Sequence, residues 1–194
     1  MNANTVTIGE VRLSYVHIFK PYSSMPGQDP KYSLVALLPK TNAVAKAQID
    51  AAIEAAKQIG LQTKWNGSAP AVLANTIHDG DGVKSNGEAY GEECKGHWVI
   101  NCNANPDHPP KAVDSQLQPI INESDVYSGI YGYVNVNFYP YFFSGKKGIG
   151  CGLNAVMKTR DGQPLGGSAP SVDEAFAGIS VSQPKVDPIT GLPV

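Results

Sequence analysis

A chain of 194 residues with 42% hydrophobic and 16% charged side chains suits one folded domain with a tail or loop insertions, and it can bury a real core. The 20 Gly and 15 Pro punctuate it every dozen residues or so, which favours short strands over long helices. A net charge of −2 gives the molecule as a whole no electrostatic reason to condense on nucleic acid; any affinity for phosphates has to be local.

That charge is uneven. Residues 65–145 carry three basic and nine acidic side chains, whereas residues 146–160 carry four basic and none acidic. The start, MNANTVTIGEV, has neither a basic n-region nor an apolar h-region, and no run approaches the roughly 18 apolar residues of a membrane span. The expectation is a chain without signal peptide or membrane segment, in a reducing cytoplasm, with Cys94, Cys102 and Cys151 as free thiols.

In chain order, residues 5–19 (TVTIGEVRLSYVHIF) alternate with a slip of phase near Gly9 and Glu10, which predicts one long strand with a bulge. After the loop KPYSSMPGQDP, residues 32–38 (YSLVALL) predict a second strand ended by Pro39. Residues 41–59 predict the one helix, capped by Thr41 or Asn42, with an apolar stripe of Val44, Ala47, Ile49, Ile53, Ala56 and Ile59 and a stop at Gly60. Residues 62–95, polar and rich in Gly, Asp and Asn, read as an insertion.

Residues 97–101 (HWVIN) predict a short strand, with Trp98 on the inward face beside Ile100 and Cys102; Trp65 is open either way. Short extended pieces surround Val113, Ile120 and Ile121. Residues 129–143 and 148–158 then predict a hairpin whose turn, SGKK, takes its positive φ at Gly145. Beyond Asp161 the sequence is Gly/Ser/Pro-rich and aperiodic, so residues 168–194 read as a flexible tail on a domain of residues 1–167.

The hairpin's first strand, GIYGYVNVNFYPYFF, puts Ile130, Val134, Val136 and Phe138 on one face and Tyr131, Tyr133, Asn135, Asn137 and Tyr139 on the other. Exposed sheet faces ordinarily favour Thr, Lys, Glu and Ser; tyrosines alternating with amides suit a flat ligand that stacks and hydrogen-bonds. Nucleobases are such a ligand, and stacking on an aromatic ring is worth about 1–3 kcal/mol per base with little sequence preference. Phosphate contacts would come from Lys146 and Lys147 in the turn and from Lys158 and Arg160 at the far end of the next strand, with Arg12, Lys20 and Lys31 added from the early strands. Tyr22, in a Pro/Ser loop, joins the candidate surface, whereas Tyr15, Phe19 and Tyr32 are expected in the core. The plain alternative is that these tyrosines serve strand propensity and packing alone.

Cys94, His97, Cys102 and His108 form C-x2-H-x4-C-x5-H, a permuted zinc-knuckle spacing. On one strand, however, His97 and Cys102 point to opposite faces, so no metal site is expected. Asp79, Asp81 and Glu88 lack the glycine position of a calcium loop. Nucleophile-elbow, Walker A and HExxH sequences are absent, and GIGCG within residues 145–152 lacks the strand-turn-helix setting of a dinucleotide site, so no catalysis is expected.

The segments VYSGIYGYVNVNFYPY and GKKGIGCGLNAVMKTRDGQPLGG, preceded by KYSLVALLPK and a short helix, resemble a family of tailed-phage single-stranded-DNA-binding proteins, formerly a domain of unknown function, over about residues 5–167. The resemblance implies an OB fold related to the T7-type phage single-stranded-DNA-binding protein: all-β with one helix, a five-stranded Greek-key barrel with the helix between strands two and three, and loop insertions. It further implies single-stranded DNA as ligand with duplex weaker, and a role in phage replication and recombination in the cytoplasm of an infected bacterial host. Phage or host proteins of those processes are the implied partners; no cofactor is implied, and self-association is compatible with it. Such proteins commonly end in a carboxylate run and an aromatic residue; here the end is DPITGLPV and the nearest equivalent, Asp173-Glu174-Ala175-Phe176, is internal, which argues against a tail-mediated partner switch. The competing expectation is a structural or protein-interaction OB module of a phage complex that uses the same aromatic face.

Overall fold

The structure, a computed structural model, describes residues 2–23, 25–70, 73–74 and 76–166; the tail expected over 168–194 lies outside them. Its elements in chain order are β1 (Thr5–Tyr22), β2 (Lys31–Pro39), α1 (Ala43–Thr63), β3 (Ile77–Asp79), β4 (His97–Ala104), β5 (Lys111–Val113), β6 (Tyr131–Phe143) and β7 (Lys146–Arg160). Strand neighbours run β3-β4-β2-β1-β6-β7-β5, and a parallel contact between β4 and β7, Asn103 opposite Gly152, closes β1, β2, β4, β7 and β6 into a five-stranded barrel. That is the OB arrangement, with α1 between the second and third barrel strands and β3 and β5 as additions at its margins.

The slip of phase in β1 is a bulge: the register with β6 shifts between Ile8 and Val11, so Ile8, Val11 and Leu13 all point inward. A second irregularity between Ser14 and His17 leaves Tyr15 with a left-handed φ of 48° and 66% exposed. This corrects the expectation of a core tyrosine, since the second bulge turns Tyr15 outward where simple alternation would keep it in. Phe19 and Tyr32 are half-buried against the core as expected.

The barrel interior is filled by Leu34, Ala36 and Leu38 from β2, Ile100 and Cys102 from β4, Val134, Val136 and Phe138 from β6, and Ile149, Cys151, Leu153 and Val156 from β7. Cys102 and Cys151 meet there, Sγ to Sγ 3.6 Å. Cys94 lies apart in a smaller cluster with Leu37 and Val99, so the thiols of the zinc-like spacing do not converge. Asp79 and Asp81 both pair with the Lys40 ammonium.

Asn42 caps α1, its side chain accepting from the Ala45 amide at 3.1 Å. The buried face is Ala45, Ile49, Ala52, Ala56 and Gly60; Val44 is 72% exposed and Ile59 also faces outward, so the expected stripe is rotated. Gly60 does not end the helix, which runs on to Thr63. It is a packing glycine, buried against Pro140 and Trp65. Trp65 is buried too, its Nε1 donating to the Tyr141 carbonyl at 3.0 Å, which ties the helix end to β6. Trp98 is half-buried, with Lys40 and Lys46 over its ring.

Described parts of the insertion after α1 pack on the barrel. β3 pairs with β4, while Tyr90 and Cys94, together with Leu165, cover Val35, Leu37 and Val99. One half of the outer β2–β4 face is therefore closed; the half at Ser33 and Asn103 is open to a groove.

Candidate nucleic-acid interface

Along β6 burial alternates as the sequence predicts. Val134, Val136 and Phe138 are fully buried, whereas Tyr133 and Tyr139 are 36% and 41% exposed, with Asn135 and Asn137 half-buried between them. At about 3.3 Å per residue, Tyr133 and Tyr139 stand roughly 20 Å apart on one face. A ladder of side-chain amides crosses between them: Asn154 Nδ2 donates to Asn135 Oδ1, and Asn135 Nδ2 to Thr7 Oγ1, both at 2.9 Å. The ladder fixes Asn135 and leaves Asn137 facing a groove with Tyr139, Asn103, Asn105, His108 and Asn154. Partial burial pushes the Tyr139 phenol up, so at neutral pH it is a neutral donor and acceptor.

Asn103 links two grooves. On its other side, Tyr22, His17, Lys31, Ser33 and Tyr15 line the open end of the β1–β2 sheet, and the Tyr22 ring stacks on His17 with centroids 4.3 Å apart. Tyr22 and Lys31 are thus brought together with each other, and through Asn103 with the Tyr139 end of β6. Tyr15, His17, Asn103, Asn105, His108 and Asn154 were not legible as site residues, because a bulge, a loop and the barrel closure bring them in.

The remaining candidates divide differently. Tyr131 has one ring face taken by Arg160, whose Cζ lies 3.5 Å from the centroid, with Arg12 at 5.8 Å. Arg160 is held in turn by Glu10, through Nε at 3.1 Å and a second nitrogen at 2.9 Å. Bonds from Thr159 and Arg160 keep the Glu10 carboxyl below its ordinary value. Arg12 donates to the Gln163 carbonyl at 2.7 Å. Lys147 points away from the tyrosines and donates to the Trp65 and Ser68 carbonyls. Lys158 is taken by Asp161 and the Asp125 carbonyl, and Lys20 pairs with Glu123. Lys146, opposite Phe143 at the end of the tyrosine row, is exposed. Among the described residues, Lys31 and Lys146 are the two sequence-predicted cations without an ion pair or side-chain hydrogen bond.

The family model for the Enterobacter phage Enc34 ssDNA-binding protein matches residues 4–185. The chain belongs to that family. The solved structure of the bacteriophage Enc34 single-stranded DNA-binding protein in complex with ssDNA is 29% identical, with a TM-score of 0.70 over 85% of this chain and 91% of that one. Another structure of the Enc34 protein is 26% identical, with a TM-score of 0.67 over 90% of this chain and 91% of that one. The gp2.5 single-stranded DNA binding protein of bacteriophage T7, 13% identical with a TM-score of 0.57 over 92% and 98%, shares the fold. No curated protein matches the chain. In OB folds the faces of the second and third barrel strands and the loops after the first and fourth are where oligonucleotides bind. In this family member those positions are the Tyr22–Lys31 groove, Asn103 and the turn that carries Lys146.

Proposed function

We propose that this chain binds single-stranded DNA along the outer face of β6 and the groove joined to it at Asn103, coating exposed strands during phage replication and recombination. The observation that carries the reading is the open row Tyr133, Asn135, Asn137 and Tyr139 backed by a fully packed core. Rings on a rigid barrel offer π-faces to unpaired bases without needing any particular sequence, and the adjoining amides offer donors and acceptors to base edges. The Enc34 relative, solved with ssDNA, supports the same ligand class here. Lys146 and Lys31 both lie toward the Tyr139 end of this track, and Arg12 and Arg160, beside Tyr131 at the other end, join them if phosphate displaces Glu10 and the Gln163 carbonyl.

Duplex binds more weakly in this reading, because paired bases present no free face to the rings. The setting is the cytoplasm of an infected host, with replication and recombination proteins of phage or host as partners. Titration of fluorescent oligo-dT at about 50 mM salt tests the site. Tyr133→Ala and Tyr139→Ala should each weaken binding by about tenfold, one stacked base's worth; unchanged affinity in both variants would move the site off β6.

A further inference from the structure

The glycines of β7 alternate as strictly as the tyrosines of β6. Gly148, Gly150 and Gly152 face outward while Ile149, Cys151 and Leu153 fill the core. In the β6–β7 register Tyr141 stands opposite Gly148, Tyr139 opposite Gly150 and Asn137 opposite Gly152. A methyl group at Gly150 would lie 2.5 Å from Tyr139 Cζ and 2.7 Å from Cε2; one at Gly148 would lie 2.7 Å from Tyr141 Cε1. Both rings therefore reach across onto the neighbouring strand and rest their phenol ends on bare backbone. Tyr133 leans in the other direction, the base of its ring over Gly9 in the β1 bulge, where a methyl group would come 2.6 Å from Cγ.

On the proposed reading of this face as the DNA surface, we infer that Gly150, with Gly148 as its counterpart under Tyr141, is a positioning residue for base stacking. A glycine beneath each ring lets it lie down against the sheet, one π-face on the backbone and the other toward solvent. Any Cβ there would prop the phenol end up and return the ring to several rotamers. Glycine weakens a strand interior by leaving nothing to pack and by its flexibility in the unfolded chain, so its use at successive outward positions runs against strand stability. The gain is a platform ordered before the base arrives, and pre-ordering raises affinity by removing a cost otherwise met on binding.

The test is a double-mutant cycle on oligo-dT affinity with Gly150→Ala, Tyr139→Ala and the pair. The atoms an added methyl meets are the far end of a side chain that can swing away, so Gly150→Ala should fold with an unchanged or raised Tm. The expected result is that Gly150→Ala weakens binding about fivefold with the salt slope unchanged, and adds nothing in the Tyr139→Ala background. Wild-type affinity in Gly150→Ala overturns the inference while leaving the DNA reading intact. An equal loss with and without Tyr139 also overturns it, since that marks a general distortion. If Tyr139→Ala alone binds as wild type, the inference falls, and the β6 reading then rests on Tyr133→Ala. Should Gly150→Ala fail to fold, the cycle of Gly148→Ala with Tyr141→Ala decides by the same criteria.

Discussion

Lys146 and Lys147 are adjacent in sequence and do different work. Strand alternation sends them to opposite faces of β7, where Lys147 donates to the Trp65 and Ser68 carbonyls at 3.1 and 2.7 Å and Lys146 stays open beside the tyrosine row. Lys147→Ala should therefore cost about 1 kcal/mol of stability and leave the salt dependence of DNA binding alone. Lys146→Ala should keep the Tm and flatten the salt slope by about 0.7, the share of a single phosphate; thermal melts and titrations over a salt series check both. In sequence both lysines read as turn residues offered to phosphate; their opposite facing appears because β7 already begins at Lys146, and the loop that captures Lys147 comes from residues near the end of α1, which no local pattern announces. The same limit applies to Tyr131, which reads like Tyr133 in sequence yet is stacked under Arg160 by a Glu10 contributed from the β1 bulge.

At the scale of elements, the barrel strands were legible, whereas β3, inside the segment read as an insertion, and the ends of elements were not. Period-two alternation located β1 and β6, because each has one face in a single barrel core and the other outside, whereas β2 was found as an apolar run ended by Pro39 and β7 as the hairpin partner of β6. It also separated the buried Val134, Val136 and Phe138 from the tyrosines. The helix was found but extended past its expected stop. Gly60 looks like a terminator because glycine usually is one, whereas here its missing side chain makes room for Pro140 and the Trp65 ring. By helix propensity alone Gly60→Ala would stabilise by about 1 kcal/mol. With a methyl group 2.8 Å from Pro140 Cβ on a core strand, it should instead destabilise by about 1–3 kcal/mol, measurable by urea unfolding. The GIGCG run was passed over for want of a strand-turn-helix setting; its meaning appears only when β7 is laid in register against β6.

For the whole molecule, the opposing facts are a net charge of −2 and a surface suited to DNA. They are reconciled by where the charges go. Several cations near the barrel are engaged within the chain, so affinity has to lean on stacking, and the electrostatic share has to be small. With Lys31, Lys146 and the two Glu10- and loop-held arginines as the cations along the proposed track, the salt slope on single strands should lie at about −1.5 to −3, at roughly 0.7 per phosphate. The most direct test of single-strand binding by a stacking face is a paired anisotropy titration of oligo-dT and a duplex of equal length across a salt series. Preference for the single strand at every salt concentration, with a slope in that range, is the predicted result. Equal or tighter duplex binding, or no binding of oligo-dT at about 50 mM salt, would contradict it.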